Sequence, residues 1–148
     1  MSMAQSITVL LIDDNPSDLF LAQEAFSGYH DQVTVVSHSD GGEALAYLRD
    51  TLHPLPNVIV LDVNMPGMSG FDVLKAIRAD LTLRHLPVVM LSTSSDEKDI
   101  NTAYDLITSS YIVKNPHFDQ FARQIDSFVR FWLESQFKQT QRTSVDDL

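Results

Sequence analysis

Five acidic, basic or hydroxyl side chains stand where apolar runs of the sequence end. Asp13 and Asp14 follow one run, Asp62 follows another, and Ser92 and Lys114 follow two more. In an α/β protein with parallel strands, the carboxyl ends of the strands open onto the crevice where ligands bind. If the runs are such strands, Asp62 is a candidate nucleophile in a shared crevice. The four runs span residues 7–12, 58–61, 88–91 and 111–113.

Three carboxylates at one site need a proton or a cation. Two of them held about 4 Å apart repel by roughly 4 kcal/mol at an effective dielectric constant of about 20. Mg²⁺ suits the group because it prefers oxygen ligands and often combines one or two carboxylates with phosphate oxygens. Lys114 would add positive charge, and the Ser92 hydroxyl could donate to a phosphoryl oxygen. Asp62 could then attack phosphorus and become an aspartyl phosphate.

The elements that position these residues follow from a regular alternation along the chain. Each apolar run, including a fifth at residues 33–36, precedes a segment in which apolar residues have helical spacing. Strands that alternate with helices imply a parallel sheet covered on both faces. The chain is therefore predicted to be a doubly wound α/β sandwich of five βα units. Helix starts are predicted at Asn15–Pro16, Asp40, Ser69, one of Ser94, Ser95 or Asp96, and near Pro116.

The predicted strand order is 2-1-3-4-5, with its switch point between strands 1 and 3. This order brings Asp13 and Asp14 beside Asp62. Strands 4 and 5 follow on one side, so Ser92 and Lys114 border the same crevice. The second strand is left outside, and its end offers no obvious partner for the other groups.

Composition limits the class of protein. With 148 residues and 44% hydrophobic content, the chain suits one well-packed domain. The formal charge of −10 would repel a phosphate backbone, so nucleic acid is not an expected partner. The sequence has no cysteine, no recognisable secretion signal and no apolar stretch of membrane-spanning length. We expect a cytoplasmic protein without a membrane partner.

The ordered set of groups resembles the receiver domain of two-component response regulators, a flavodoxin-like fold. The resemblance covers roughly residues 7 to 135. We expect a receiver domain at residues 7–137 and a polar, mobile tail at residues 138–148, with no effector domain following. The matching residues are Asp13, Asp14, Asp62, the stretch Met65-Pro66-Gly67-Met68-Ser69-Gly70, Ser92, Tyr111 and Lys114.

The resemblance implies a phosphorelay role rather than an enzyme acting on other substrates. A histidine of a sensor kinase would pass its phosphoryl group to Asp62. Mg²⁺ would be held by Asp14, Asp62 and the backbone carbonyl of Asn64, and Asp13 would act through metal-bound water. Ser92 would then turn toward the phosphoryl group and Tyr111 would change its packing. The output would be an altered surface of helix 4, strand 5 and helix 5.

Two positions depart from the family's usual sequence. Receivers commonly have a proline in a cis peptide directly after the lysine, whereas Asn115 precedes Pro116 here. Without proline, a cis Lys114–Asn115 bond would cost roughly 3 kcal/mol or more. Ile107 stands where glycine is usual in the turn before strand 5, so residues 106–110 are expected to bend differently.

The last helix carries more apolar surface than one core face needs. Its stripe predicts a homodimer interface or a partner surface, because extended aromatic surface is typical of interfaces. The Phe131-Trp132-Leu133 sequence also resembles single-domain receivers that pair with phytochrome-type sensor histidine kinases, which are often dimeric. The residues predicted for the interface are Phe128, Phe131, Trp132 and Leu133.

Taken one at a time, the candidate site residues could have simpler roles. The acids at 13 and 14 could be solvated loop residues, and Lys114 could lie beside the sheet with only its head in water. Rival classes are a flavin- or nucleotide-binding protein, an aspartyl-phosphate phosphatase, and a receiver-like adaptor that works through helix 5 without phosphorylation. The conjunction of groups at four strand ends favours the phosphorylated receiver. The scattered histidines show no ligand spacing; they are His30, His38, His53, His85 and His117.

Overall fold

The computed structural model describes the backbone of residues 6–146 and the side chains of residues 6–135. Strands and helices alternate throughout this part of the chain, as predicted. The strands are β1 (Ile7–Ile12), β2 (Val33–His38), β3 (Val58–Leu61), β4 (Val88–Ser92) and β5 (Ser110–Val113). The helices are α1 (Pro16–Ser27), α2 (Gly41–Arg49), α3 (Gly70–Ala79), α4 (Glu97–Asp105) and α5 (Phe118–Asp146).

The strands form one parallel sheet in the order β2-β1-β3-β4-β5, which confirms the predicted fold class and wiring. Every residue of β3 and β4 is buried, as expected for strands covered on both faces. Ile12 on β1 pairs with Leu61 on β3. The residues that follow these two positions are Asp13 and Asp62, so the register alone sets both carboxylates side by side.

Two apolar layers hold the helices on the sheet. One layer packs α2, α3 and part of α4 against one face, and the other packs α1 and α5 against the opposite face. Leu10, Ile59 and Leu74 are completely buried in the first layer. Fully burying one such side chain contributes roughly 1.5–3 kcal/mol. The sheet is therefore a rigid base for the groups at its carboxyl edge.

The predicted helix starts carry hydrogen-bonded caps. The Asn15 side chain accepts from the backbone amides of Ser17 and Asp18, and Pro16 occupies the first helical position of α1. Asp40 caps α2, and Ser69 forms a reciprocal capping box with Asp72 at the start of α3. These caps end the crevice loops at defined points.

Among the three candidates for the cap of α4, Asp96 takes the role by accepting from the Lys98 amide. Ser94 instead donates its hydroxyl proton to Asp99 at 2.7 Å. The loop between β4 and α4 is therefore closed by two separate side-chain contacts.

Helix α5 begins close to its predicted start and differs from the prediction at its end. It begins at Phe118, two residues after Pro116, and the Asn115 side chain accepts from the His117 amide just before it. It continues to Asp146, past residue 137 where the sequence predicts the domain to end. Leu148 lies outside the described residues, and the domain boundary stays a prediction. Within residues 6–146, no helix has the length and apolar character needed to cross a membrane.

The turn before β5 keeps a conformation that glycine normally supplies. Ile107 has a φ of 60°, in the left-handed region that is costly for a β-branched residue. Its carbonyl accepts from the Arg78 guanidinium at 2.7 Å, and Arg78 also donates to the carbonyls of Arg84, Leu86 and Leu106. At Ile107 the turn therefore keeps the glycine-like conformation rather than the different bend that the sequence predicts, and Arg78 of α3 holds it in place.

Candidate functional site

The crevice brings the three predicted acids together. Asp13, Asp14 and Asp62 each offer a carboxylate oxygen within 4.8 Å of the others. Asp13 is 4% exposed and Asp62 is 8% exposed, while Asp14 is partly open to solvent. Burial strengthens the repulsion among these charges, so the site favours a cation.

Asp13 is tied to the protein through both of its oxygens. One oxygen accepts from the Asn15 amide at 3.0 Å, and the other accepts from the Lys114 ammonium at 2.6 Å. Asp14 and Asp62 are therefore better placed than Asp13 to give oxygens directly to a cation. The role of Asp13 through metal-bound water stays a prediction.

Lys114 lies in the acidic crevice, as the sequence predicts, with its side chain only 7% exposed. Its Nζ is 3.8 Å from Asp62 Oδ1, besides its hydrogen bond to Asp13. These acids raise the pKa of Lys114 even though burial alone would lower it. The lysine is thus a fixed positive charge beside the candidate nucleophile.

Asp18 is a member of the site that the sequence reasoning missed. It accepts from Lys114 Nζ at 3.0 Å, and its side chain is one-third exposed. Because α1 begins at Pro16, Asp18 lies in the first turn of the helix, directly over the crevice. The predicted helix start was the signal that could have found it.

The pKa of Asp62 is raised to about 6. Burial is the largest cause, and the negative charges of Asp13 and Asp14 add to it. Lys114 and a hydrogen bond from the Asn64 backbone amide oppose the shift. Asp62 is therefore mostly ionised at neutral pH, which a carboxylate nucleophile requires.

Ser92 and Tyr111 are connected through the loop between β4 and α4. The buried Ser92 hydroxyl accepts from the Ser94 amide at 3.1 Å. The Tyr111 hydroxyl donates to the Ser94 carbonyl at 2.9 Å. A movement of Ser92 would therefore reach Tyr111 through one residue.

The loop after β3 depends on two glycines. A Cβ atom at Gly70 would lie 2.0 Å from the Asp62 carbonyl oxygen, so only glycine lets α3 start this close to the strand end. Gly67 has a φ of 79°, a turn conformation that glycine adopts without strain. These residues set the path of the chain between Asp62 and α3.

The loop after Lys114 keeps an ordinary trans peptide at Asn115, like every peptide bond among residues 6–146. Gln124 on α5 holds this loop: its side chain accepts from the Asn115 amide and donates to the Val113 carbonyl. No sequence signal pointed to Gln124, because a lone glutamine on a helix resembles an ordinary solvated residue.

The crevice opens to solvent through a polar depression of about 390 Å³. Carboxylates supply most of its negative charge, and Lys114 is the cation in its wall. This oxygen-rich donor set fits a hard divalent cation, which prefers carboxylates, carbonyls and water. The depression is lined by Asp14, Asn15, Pro16, Asp18, Asp62, Asn64, Thr93 and Lys114.

The four residues predicted for an interface divide between core and surface. Phe128 is only 7% exposed and packs edge-on against Phe26 with ring centroids 6.0 Å apart, so it is mainly a core residue. Trp132 and Leu133 are half-buried against the same core, while Phe131 is 61% exposed. The structure thus leaves Phe131 as the principal exposed aromatic of the four.

Residues 9–126 match the response regulator receiver domain family, and the chain belongs to that family. It is 31% identical over 131 residues to the response regulator Rcp1 of Synechocystis sp., covering 86% of this chain and 89% of Rcp1. The phosphorylated cyanobacterial phytochrome response regulator RcpA superposes with a TM-score of 0.82 at 38% identity, covering 88% of this chain and 96% of that one. An Mn²⁺-bound Rcp1 structure gives a TM-score of 0.80 at 31% identity, with 86% and 95% covered.

Family membership assigns the chain to phosphorylation-based two-component signalling, as the sequence predicts. It is a response regulator similar to those of phytochrome systems, and a histidine kinase is its implied partner. Receiver domains bind a divalent metal at an acidic pocket, and Asp13, Asp14 and Asp62 form such a pocket here. Receiver-domain response regulators are not enzymes in the ordinary sense.

Proposed function

We propose that Asp62 is the phosphoryl acceptor of this response regulator. The observation that carries the proposal is the position of Lys114, 3.8 Å from Asp62 while it is bonded to Asp13. An Asp62 oxygen would form a bond to phosphorus as the bond between phosphorus and the kinase histidine nitrogen breaks. The electron pair of the broken bond returns to the imidazole of the kinase.

Mg²⁺ is the cation that we propose for the acidic pocket. Asp14, Asp62 and the backbone carbonyl of Asn64 would hold it, with Asp13 acting through water. When bound, the ion would neutralise charge on the carboxylates and on an incoming phosphoryl group. The open polar depression beside Asp62 supports this proposal.

Lys114 has one hydrogen-bond donor to spare for this reaction. An ammonium group has three N–H donors, and two of them serve Asp13 and Asp18. A shift of the ammonium toward Asp62 would let the third donate to an oxygen of a phosphoryl group there. Lys114 would thus replace its attraction to the Asp62 carboxylate with a charge-assisted hydrogen bond to the product.

Ser92 and Tyr111 would report the modification. The Ser92 hydroxyl oxygen accepts from the Ser94 amide, so the hydroxyl proton remains able to donate to a phosphoryl oxygen. Turning Ser92 toward Asp62 would disturb the Ser94 contact, to which Tyr111 is bonded. The result is a two-state surface at α4, β5 and α5, biased by the phosphoryl charge.

The kinase partner is proposed to be of the phytochrome type. Support comes from the similarity to the phytochrome response regulator RcpA and to a bacteriophytochrome response regulator, the latter at 35% identity with a TM-score of 0.67. The net charge of −10 supports a protein partner rather than nucleic acid. We propose a cytoplasmic location, because the kinase domain of the proposed partner would contact the protein there.

A homodimer through α5 is the assembly that we propose. Beside the exposed Phe131 lies a largely apolar groove of about 550 Å³ between β5 and α5, to which Phe128 and Trp132 contribute. A second copy could place its own Phe131 there, since two-fold interfaces use the same patch on both subunits. Aromatic residues are enriched at the centres of such interfaces.

The proposed phosphorylation is tested by intact-mass measurement after incubation with acetyl phosphate, with and without Mg²⁺. The native chain should gain one phosphoryl group only with the ion, and Asp62→Asn should gain none. Asp31→Asn is the matched control, because Asp31 is an exposed acid outside the crevice. A native chain that stays unmodified, or an Asp62→Asn chain that is modified equally well, would show that the site is wrong.

The adaptor alternative has less support than phosphorylation. It depended on the unusual residue after Lys114, which could have carried the lysine away from the acids. With Lys114 at hydrogen-bonding distance from Asp13, the altered loop removes no group that the transfer needs.

A further inference from the structure

Gln124 of α5 forms hydrogen bonds with the backbone before and after Lys114. Its Nε2 donates to the Val113 carbonyl at 2.7 Å, and its Oε1 accepts from the Asn115 amide at 3.1 Å. Val113 and Asn115 are the neighbours of Lys114 in the chain. One side chain of α5 therefore binds the backbone on both sides of the lysine.

Other hydrogen bonds hold the chain on either side of this contact. On the sheet side, the Lys114 amide donates to the Ser92 carbonyl at 2.7 Å. Beyond Asn115, the next local contact is the Asn115 side chain with the His117 amide. Because β5 ends at Val113, Gln124 supplies a side-chain link between the departing chain and α5.

Gln124 also belongs to the groove between β5 and α5. It lines this groove with Ile112, Phe128, Phe131 and Trp132. Phe128 follows Gln124 by four residues, one turn further along α5. A shift of the Gln124 amide would therefore change the packing of the aromatic residues that line the groove.

We infer that Gln124 is a positioning residue that holds Lys114 in the crevice and transmits its displacement to the groove of α5. The inference rests on the proposed phosphorylation of Asp62, because a phosphoryl group is what would move Lys114. A shift of Lys114 toward that group would move Val113 and Asn115 as well. Their movement would alter the two hydrogen bonds that Gln124 makes with them. The groove and the lysine loop are then two parts of one switching element.

The test compares Gln124→Ala and Gln124→Glu with the native chain. Glutamate keeps the shape and the acceptor of glutamine but loses the N–H that serves Val113. Gln120→Ala is the matched control, since Gln120 is exposed on the same helix. Two quantities are measured with acetyl phosphate and Mg²⁺: the rate of phosphorylation, and the fluorescence change of Trp132, which is the single tryptophan of the chain.

We expect Gln124→Ala and Gln124→Glu to slow phosphorylation roughly three- to tenfold, because a misplaced lysine loses orientation at the reacting group. Per phosphorylated molecule, the Trp132 fluorescence change should be smaller in both variants than in the native chain. Gln120→Ala should match the native chain in both measurements. A residue with a purely structural role would lower thermal stability without reducing the fluorescence change of molecules that are already phosphorylated.

The inference is overturned if the native chain is phosphorylated and both Gln124 variants match it in rate and in Trp132 response. Failure of the proposed function looks different, because the native chain itself would then gain no phosphoryl mass. Hydrogen exchange of the Asn115 amide tests the positioning role in the unphosphorylated protein. That amide should exchange faster in Gln124→Ala, and unchanged exchange would contradict the role. If the alanine variant does not fold, Gln124→Glu is judged by the same measurements.

Discussion

At the scale of single residues, the Asp62 carboxylate is buried beside two other acids, which disfavours its negative charge. Its pKa is raised to about 6 by burial, with further contributions from Asp13 and Asp14, despite the nearby Lys114. The carboxylate is therefore destabilised before any cation or phosphoryl group arrives. A ligand that neutralises this charge would relieve the strain, so binding and folding are linked at this residue.

The raised pKa predicts how stability depends on pH in the metal-free protein. A carboxyl whose pKa is raised on folding contributes stability below its unfolded value, 3.8, and loses that contribution as the pH rises through about 6. Asp62→Asn should therefore become more stable, relative to the native chain, as the pH rises from 3.8 to about 6. Urea unfolding in the presence of a chelator measures the difference at each pH. The same difference at both values would contradict the raised pKa.

Sequence reasoning worked well for residues placed by strand ends and poorly for those placed by helices. Asp13, Asp62 and Lys114 could be predicted to converge because parallel strands deliver their final residues to one edge. Asp18 of α1 accepts from the same lysine, and Gln124 of α5 binds the backbone of the two residues beside it. Their positions depend on where each helix begins and how it packs, which the apolar periodicity does not specify.

At the scale of the elements, two connections between strands and helices have tightly constrained backbones. Gly70 lies where the start of α3 meets the end of β3, and its amide donates to the Val63 carbonyl at 2.9 Å. Ile107, within the connection between α4 and β5, has a strained conformation. The helix starts were predictable from capping residues, whereas these close approaches appear only in three dimensions.

Gly70→Ala should disturb the site through the backbone. The added Cβ would lie 2.0 Å from the Asp62 carbonyl oxygen, so α3 and the end of β3 must separate. We expect a loss of roughly 1–3 kcal/mol in the free energy of unfolding, with slower phosphorylation by acetyl phosphate. Gly28→Ala is the control, because a Cβ there meets nothing within 4 Å. Chemical denaturation of both variants checks the prediction, and equal stabilities would refute it.

Ile107→Gly should stabilise the protein. Ile107 has a φ of 60° and is 71% exposed, so glycine would remove strain at little cost in packing. The expected gain is about 1 kcal/mol, reduced somewhat by the greater freedom of glycine in the unfolded chain. Ile107→Ala separates the relief of strain from the loss of side-chain packing, since alanine removes the side chain beyond the Cβ but keeps the Cβ that causes the strain. If thermal unfolding shows that alanine stabilises as much as glycine, strain is not the cause.

At the scale of the whole molecule, the loop after Lys114 connects the acidic crevice with the apolar groove beside α5. The acidic crevice opens at the carboxyl edge of the sheet, and the apolar groove runs between β5 and α5. Lys114 and its loop lie between them. If Asp62 is phosphorylated as proposed, its change of charge would alter the proposed dimer surface without any large rearrangement of the core.

The dimer proposed for α5 gives the last prediction. Phe131→Glu would put a charge on the aromatic rim of the groove and should yield a monomer, because burying an unpaired carboxylate in an apolar interface is costly. Phe20→Glu is a close control: Phe20 on α1 is 60% exposed, against 61% for Phe131, and lies outside the groove. Sedimentation at tens of micromolar, a range in which weak interfaces begin to populate, should show dimers for the native chain and for Phe20→Glu. A monomeric native chain, phosphorylated or not, would remove the α5 dimer and leave the groove for another partner.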